Sequence, residues 1–423
     1  MENINEKVFT EKDAANYTDE HIIIPHGYTA IGDEAFRNRD DILSVEISDS
    51  VTIIGSRAFE KCRNLTSIAV PENVIYIYDN AFSGCENLAN IVLCDGIIEI
   101  GYAAFSHCIN LESIEIPDSV QLIGSMAFSG CIKLTKVKFP NDIDQIREKT
   151  FYECVSLTEI TLPEGLRCIG GKSFSNCNLR HLSVPETVTL IESGAFCGCM
   201  ELQSIEIPAS VDKIEGFAFF GCEKLAEIIV SDENEYFTVI DGVLFDRDIK
   251  TLICYPCGLE NDSYKIPDGV DTIEKGAFGE CVKLTKIHIP DSVKYINMQA
   301  FDGCKSLKEI NIPDGIKRIQ LGAFSRCESL TKVELPDSVM YIGSRAFNQC
   351  KNLTSINIPE KVFEIGYGAF GMCQNLTQIN IPEKIMRIEE LVFDKCSNLT
   401  VRCSEGSYVH KYCKENNVNF KYF

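Results

Sequence analysis

The sequence contains no tryptophan, no long hydrophobic run and no excess of positive charge. None of its 423 residues lies in an uninterrupted apolar run of the roughly 18 residues that a membrane-spanning helix needs. Met1–Lys7 has neither a basic start nor an apolar stretch, so no secretory signal is recognisable, and the chain as written is expected in the cytoplasm. The absence of Trp argues modestly against carbohydrate binding, which often uses flat aromatic platforms.

The net charge and the apolar content exclude further classes of protein. A net charge of −22 disfavours binding to nucleic acid or to anionic membranes, because both attract cationic surfaces. It favours solubility and a basic partner. With 45% hydrophobic residues the chain has ample apolar surface to bury, so it is not disordered.

A phenylalanine recurs along almost the whole chain at intervals of 23 residues, with one interval of 22 and one gap of 59. Repeats at such a period indicate a stacked repeat architecture. The fifteen repeat phenylalanines are Phe36, Phe59, Phe82, Phe105, Phe128, Phe151, Phe174, Phe196, Phe219, Phe278, Phe301, Phe324, Phe347, Phe370 and Phe393.

Other residue types keep the same spacing. An isoleucine stands five residues before every repeat phenylalanine, and a cysteine stands three residues after it in every repeat except the first, where Arg39 takes the place. A leucine follows the phenylalanine by six residues in nearly every repeat, and thirteen of the 14 prolines share one repeat position. The unit therefore has an invariant apolar frame.

This unit predicts one short coil of chain. Alternation at Ile68 and Val70 has a period of two, which indicates a half-buried strand, and Pro71 ends it because proline donates no ladder hydrogen bond. A second extended piece follows near Val74 and Ile77, and Ala81–Cys85 fits an irregular or 3₁₀ corner. Such coils must stack to bury their apolar side.

The Ile-Pro, Ile-Gly and Ala-Phe-x-x-Cys motifs resemble those of the BspA-like leucine-rich repeat family over about residues 22 to 400. The resemblance implies a curved, right-handed solenoid with a role in adhesion or protein recognition, at the cell surface or secreted. The chain departs from commoner leucine-rich repeats at the position of their asparagine ladder, which holds Asn73, Ser119, Gly165 and Thr187.

The expected fold is therefore a leucine-rich-repeat solenoid of about 15 repeats with short strands. Residues 1–21 are expected to form an N-terminal cap, 22–403 the solenoid and 404–423 a C-terminal cap, with a short helix from Ser407 and a last strand after Asn417. Within the solenoid, 231–266 predicts a β-hairpin insertion, since two apolar runs flank Asp246–Asp248. The insertion is either an enlarged repeat or a protruding recognition element.

Cysteine supplies the first candidate chemistry. The 14 repeat cysteines, from Cys62 to Cys396, are expected to form a reduced ladder in the core, because free cysteine packs as a small hydrophobe. Cys254 and Cys257 form the one Cys-x-x-Cys, which suits hairpin packing or, as the alternative function, a metal or redox site. No cofactor or resident metal is expected. The six histidines are scattered and form no triad pattern, so no enzyme is predicted.

An acidic residue follows the repeat proline in ten repeats, which stacking would align along one edge about 5 Å apart. Turn chemistry explains these residues, and a cation or a basic partner is compatible with them. They are Glu72, Asp118, Glu164, Glu186, Asp268, Asp291, Asp314, Asp337, Glu360 and Glu383.

Binding is predicted on the concave side, at the residues that flank the inward isoleucine of each first strand. These residues vary while the frame does not, as expected for a recognition surface on a solenoid. Their polar, mixed-charge character suits a protein or peptide partner rather than nucleic acid. They include Ser113, Glu115, Lys136, Lys138, Glu159, Thr161, Ser204, Glu206, Lys286, His288, Glu309, Asn311, Lys332 and Glu334.

Overall fold

The computed structural model describes residues 7–423, so the first six residues of the expected N-terminal cap lie outside the described part. The chain divides into two compact units. The first comprises residues 7–218 and Ile229–Asn234, and the second comprises Phe219–Ile228 and Glu235–Phe423. Each unit is a β-solenoid in which most coils contribute two short strands, as the repeat predicts.

In both units the strands form two kinds of parallel row. We call one row the leucine row, because most of its strands begin two residues after a repeat leucine. We call the other the isoleucine row, because most of its strands end at a repeat isoleucine. In the first unit the leucine row is His21–Ile23, Ser44–Glu46, Ser67–Ala69, Asn90–Val92, Ser113–Glu115, Lys136–Lys138, His181–Ser183 and Ser204–Ile207. The isoleucine row is Val8–Phe9, Ala30–Ile31, Ile53–Ile54, Tyr76–Ile77, Glu99–Ile100, Leu122–Ile123, Gln145–Ile146, Cys168–Ile169, Leu190–Ile191 and Lys213–Ile214. The strand Glu227–Val230 belongs in part to each unit.

The second unit repeats both rows after an antiparallel segment. Its leucine row is Ser263–Lys265, Lys286–His288, Glu309–Ile310, Lys332–Val333, Ser355–Ile356, Gln378–Asn380, Thr400–Cys403 and Phe420–Tyr422. Its isoleucine row is Thr272–Ile273, Tyr295–Ile296, Arg318–Ile319, Tyr341–Ile342, Glu364–Ile365 and Arg387–Ile388. Neighbouring coils pair in constant register, for example Arg318 with Tyr341, so equivalent residues lie side by side.

The predicted hairpin consists of Val243–Asp246 and Thr251–Cys254, and a third strand, Phe237–Ile240, precedes it. Asp241 and Gly242, both with positive φ, form the two-residue connection that the right-handed twist of a hairpin favours. Thr251–Cys254 then pairs in parallel with Thr272–Ile273, which returns the chain to the isoleucine row. This segment therefore joins the parallel row of its own unit.

The core of each unit is a column of stacked phenylalanine rings. From Phe36 to Phe174 the neighbouring ring centroids lie 5.1 to 5.5 Å apart with interplanar angles of 2 to 7°. Phe128 and its neighbours have no solvent exposure. The repeat isoleucine, leucine and cysteine are buried beside them in almost every coil. The 23-residue period therefore places the repeat apolar residues in the core.

The corner that carries each phenylalanine is a run of hydrogen-bonded turns, not a 3₁₀ helix. Residues two before and two after the phenylalanine adopt positive φ, as at Arg57 (57°) and Lys61 (60°) around Phe59. The backbone N–H groups of all three donate to the next coil, at 2.9, 2.7 and 2.8 Å to Asp79, Ser83 and Ala81. The corner therefore uses its backbone to bond along the stack.

The described residues form about 18 coils, three more than the fifteen predicted. The extra coils escape the count because their spacing or aromatic residue differs. Phe9 stacks on Phe36 at 5.3 Å although 27 residues separate them, and Tyr255 stacks on Phe278 at 5.2 Å in place of a phenylalanine. The final coil leads into the helix Tyr408–Glu415, whose N-cap Ser407 accepts a hydrogen bond from the backbone of His410. The predicted C-terminal helix and last strand are confirmed.

A second short helix, Glu11–Ala14, lies in the region assigned to the N-terminal cap. Its N-cap is Thr10, which exchanges hydrogen bonds with Asp13 in a capping box. Arg39, which replaces the first repeat cysteine, donates to the carbonyl oxygens of Ala14 and Tyr17 at 3.1 and 2.8 Å. The exception in the cysteine column thus secures the end of the first unit.

Candidate functional site

The leucine-row strands present the residues for which binding was predicted. Their central residue is buried, as at Ile114 and Ile287, and the residues on each side point outward. All fourteen predicted residues are exposed except Ser204, which is half-buried and lies 2.8 Å from the Nδ1 atom of His181. Glu159 and Thr161 are exposed on a segment without regular strand structure.

Ion pairs between neighbouring coils neutralise much of the charge on this face. Lys138 pairs with Glu115, and the Nζ atom of Lys286 lies 2.7 Å from the Oε2 atom of Glu309. Within one strand, Lys332 pairs with Glu334 at 2.5 Å. Hydrogen bonds from the lysines lower the pKa values of Glu309 and Glu334 below their usual range. Because both groups of each pair are exposed, these contacts organise the surface more than they stabilise the fold.

In the second unit this face forms a shallow groove. A groove of about 480 Å³ gathers six of the predicted residues, Lys286, His288, Glu309, Asn311, Lys332 and Glu334, on three consecutive coils. A neighbouring groove of about 610 Å³ shares Lys332 and Glu334 and is also lined by Asn357 and Asn380. The other eight predicted residues belong to the first unit.

The side chain of Asn311 has a structural role that was not predicted from the sequence. Its side chain bridges to the preceding coil, donating to the carbonyl of Ile289 at 2.7 Å and accepting from the same residue's N–H at 2.9 Å. Asn357 makes the same pair of bonds to Leu335 at 2.8 and 2.7 Å. These amides replace a missing strand hydrogen bond, so Asn311 is a less suitable ligand contact than Lys286 or His288.

Two ladders of polar side chains connect neighbouring coils. At the position held by Asn73, hydroxyl side chains bond the preceding coil instead, as from Ser292 to the carbonyl of Val270 at 2.6 Å. Asparagines form a separate ladder beside the repeat leucine, where Asn110 donates to Asn87 at 3.1 Å and Asn375 to Asn352 at 3.0 Å. The sequence signal for this ladder is the recurrent Asn-Leu pair.

The cysteine column is a ladder of thiol–carbonyl contacts. The Sγ atom of Cys131 lies 3.2 Å from the carbonyl oxygen of Phe105, and the same contact recurs 26 residues apart through most of both units. Burial raises the pKa of the Cys131 thiol to about 12. The thiols of this column therefore stay protonated and unreactive at neutral pH.

One repeat cysteine departs from the predicted reduced ladder. Cys281 is joined by a disulfide to Cys257, with the two Cα atoms 4.5 Å apart, while Cys254 is a buried free thiol. The prediction was wrong for Cys281 because Cys257 stands one residue early for the column, beside Cys281 on the next coil. The two cysteines of the Cys-x-x-Cys are thus not bonded to each other.

A further groove, of about 700 Å³, lies on the corner side of the second unit and was not predicted. It forms where Gly322, Gly368 and Gly371 replace larger side chains. On its wall Arg326 bonds the buried carboxylate of Asp302, with its Nε atom 2.9 Å from Oδ1, and also contacts Glu280. This ion cluster is satisfied by its own members, so it has a structural role.

Two other kinds of feature, a metal site and a membrane-spanning helix, were also sought in the described residues. In residues 7–423 no three His, Cys, Asp or Glu side chains come together to hold a metal ion, the acidic residues after the prolines included. No helix in the same range is long and apolar enough to cross a membrane.

Comparison with known proteins agrees with this geometry. The model of the BspA type leucine rich repeat region matches six copies over residues 2–135, 121–246 and 254–400.

The chain belongs to the BspA-type leucine-rich repeat family.

Solved structures of this repeat class are similar over nearly the whole chain. A leucine rich cell surface protein from Faecalibacterium prausnitzii is 26% identical, with a TM-score of 0.53 over 94% of this chain and 90% of the other. The pneumococcal vaccine antigen PcpA is 20% identical, with a TM-score of 0.49 over 97% and 90% of the two chains. A leucine-rich repeat protein from Bacteroides ovatus is 25% identical, with a TM-score of 0.42 over 95% and 92%. No curated protein matches the sequence.

Proposed function

We propose that this BspA-type repeat protein is a non-enzymatic scaffold that binds a protein or peptide through the outward residues of its leucine-row strands. The observation that carries the proposal is the contrast in most of these strands between a buried apolar residue and variable exposed neighbours, as in Ser113–Glu115 and Lys286–His288. The groove around Lys286, His288 and Lys332 offers the best-defined part of that face. Its mixed charges and shallow depth suit a polypeptide surface better than a small molecule.

Charge reversal on the groove tests the proposal. The immobilised full chain is used to capture partners, and the captured protein is then measured by titration against purified variants. We expect Lys286→Glu with Lys332→Glu to weaken binding at least about tenfold, since two cationic contacts become repulsive. Lys275→Glu, an exposed change on the corner of the same unit, is the control. Equal affinity of all three proteins would overturn this assignment of the face.

The structure supplies no observation that favours the alternative based on Cys254 and Cys257. Cys257 is bonded to Cys281 instead, and burial raises the pKa of the Cys254 thiol to about 12. A redox dithiol needs an accessible thiolate. We therefore carry only the scaffold proposal forward.

A location at the cell surface is the second part of the proposal. It is supported by the similarity of the chain to the leucine rich cell surface protein from F. prausnitzii. Protease treatment of intact cells, followed by immunoblotting against the chain, tests it. Digestion of the chain while a cytoplasmic marker survives is the expected result, and protection of both contradicts a surface location.

A further inference from the structure

The isoleucine row of the second unit carries exposed aromatic and cationic residues on consecutive coils. We define the Tyr-Arg face by Lys294, Tyr295, Lys317, Arg318, Met340 and Tyr341. These six residues stand at two adjacent repeat positions on three successive coils: Tyr295, Arg318 and Tyr341 begin the strands, and the other three directly precede them. Tyr295 is 60% and Met340 43% exposed. A flat apolar surface of this kind, edged by cations, is typical of a recognition surface.

Within the described residues the cations of this face form no ion pair, although Asp271 and Glu364 lie on the adjoining coils of the same rows. Arg387 on the same row, by contrast, is paired with Glu364 and Glu389 at 3.4 and 2.9 Å. In a chain with a net charge of −22, these positions form a region of three adjacent cations that no ion pair occupies. Such a region attracts a partner with carboxylates.

Arg318 is also oriented for such a partner. Its guanidinium lies 4.1 Å from the ring centroid of Tyr341 on the next coil. Stacking on the ring occupies one face of the guanidinium plane and leaves its N–H edge free to donate to a carboxylate. The stacked arginine has lost part of its side-chain entropy already, so a carboxylate binds at a lower entropic cost.

The spacing of the coils suits an extended peptide that runs along the stack. Tyr295 and Tyr341 lie two coils apart, roughly 10 Å at the usual strand separation, which is close to the roughly 9 Å turn of three residues in a polyproline II peptide, whose residues i and i+3 face the same side. An apolar residue over Tyr295 and another over Met340 or Tyr341 would place the two residues between them beside Lys317 and Arg318.

From these contacts we propose that the Tyr-Arg face binds an acidic peptide segment in which two Asp or Glu residues are flanked by apolar ones. The exposed Met340 and Tyr295 favour a peptide over a polyanionic sugar, because that ligand brings charge without apolar side chains, and the net charge of −22 disfavours a nucleic acid. The Tyr-Arg face and the leucine-row face consist of different residues, so the two binding proposals can be tested independently.

Fluorescence anisotropy with the full chain tests the proposal. The probe is a labelled peptide with two copies of Phe-Glu-Glu-Leu, and the comparison peptide has lysine in place of glutamate. We expect the acidic peptide to bind more tightly at low salt and the lysine peptide not to bind this face. Lys317→Glu combined with Arg318→Glu should weaken the acidic peptide about tenfold or more, since two charge-assisted contacts are lost.

Matched variants show whether the loss is specific. Arg167→Glu changes an exposed residue at the same repeat position as Lys317 but in the first unit, and it should leave the affinity within about twofold. Lys275→Glu, an exposed change on the corner of the second unit, should also leave it unchanged. Near-ultraviolet circular dichroism checks that each variant is folded.

Three outcomes would overturn the proposal. The first is no binding of the acidic peptide to the wild-type chain. The second is binding that the Lys317 and Arg318 reversals do not weaken. The third is binding at this face of a heparin oligosaccharide or of phosphatidylserine vesicles without binding of the peptide, which would assign the face to a different class of ligand.

Discussion

Most repeat phenylalanines lie between the rings of the two neighbouring coils and have no contact with solvent, whereas Phe219 and Phe393 are 5% and 7% exposed. Phe128 stacks on Phe105 and Phe151 at 5.5 Å on each side. Because the coils bond to each other through their backbones, the site cannot collapse around a smaller side chain.

We therefore expect Phe128→Ala to lower the free energy of unfolding by about 3–5 kcal/mol, as large buried aromatics do. The matched control is Lys136→Ala, an exposed change in the following leucine-row strand, which should cost less than about 0.5 kcal/mol. Urea denaturation followed by circular dichroism measures both. Similar losses in the two variants would be incompatible with a packed phenylalanine column.

The buried thiols predict a dependence of stability on alkaline pH. Cys131 has a pKa of about 12 in the folded chain, against 9.0 for an unperturbed thiol, because burial disfavours the thiolate. The folded state thus keeps a proton that the unfolded state releases, and stability falls as pH rises from about 9 to 12.

Cys131→Ala isolates this effect from other titrations. At pH 7 we expect the variant to be less stable than the wild type by about 1 kcal/mol, through the loss of buried volume and of the contact with Phe105. Above pH 9 the difference should shrink by up to about 1.4 kcal/mol per pH unit, because only the wild type must retain the thiol proton. A difference that stays constant from pH 7 to 11, measured by urea denaturation, would contradict the buried thiol.

At the scale of elements, the antiparallel segment depends on one tight connection. Gly242 has a φ of 81°, and a Cβ atom there would lie 3.3 Å from the Cδ2 atom of Leu259. We expect Gly242→Ala to destabilise the second unit by about 1 kcal/mol or more, because alanine rarely adopts positive φ. Gly315→Ala is the control, since it lacks positive φ and a Cβ atom there meets only ordinary contacts. Thermal denaturation of both variants gives the comparison, and equal midpoints would argue against this turn.

The sequence predicted the recurring elements, the hairpin and the C-terminal helix, and missed other features that occur once. The strands of the leucine row and the column of Phe128 follow from period and alternation, which depend on local spacing alone. The strand Phe237–Ile240 was missed although Asp241-Gly242 is a strong hairpin signal. The disulfide of Cys281 depends on which cysteine the next coil brings near, a property of stacking that spacing does not show.

The candidate surfaces show the same limit. Exposure of the predicted residues could be read from the alternation around Ile114 and Ile287, and the structure agrees with it. The groove near Lys286 and the stacking of Arg318 on Tyr341 could not be predicted from the sequence. Both depend on how side chains of different coils are oriented toward each other. In a repeat protein, equivalent residues of neighbouring coils therefore have to be compared as rows before a surface can be recognised.

For the whole molecule, the net charge of −22 means that the negative charges within the folded chain repel one another. Added salt should weaken this repulsion. We expect the thermal midpoint to rise as NaCl is increased from about 20 to 500 mM, since Debye screening shortens over this range. If ion pairs such as Lys286–Glu309 dominated instead, the midpoint would fall. The sign of the salt effect thus tells which long-range contribution is larger.

CaCl₂ at the same ionic strength distinguishes screening from binding along the acidic residues that follow the repeat prolines. Because no three carboxylates of residues 7–423 gather into a metal site, calcium should raise the midpoint no more than NaCl does. The variant Asp291→Asn with Asp314→Asn, on neighbouring coils, should respond to both salts alike. A calcium-specific rise that this variant loses would show that stacking turns a row of single turn residues into a cation-binding edge, and the acidic row would then have to be counted among the binding surfaces.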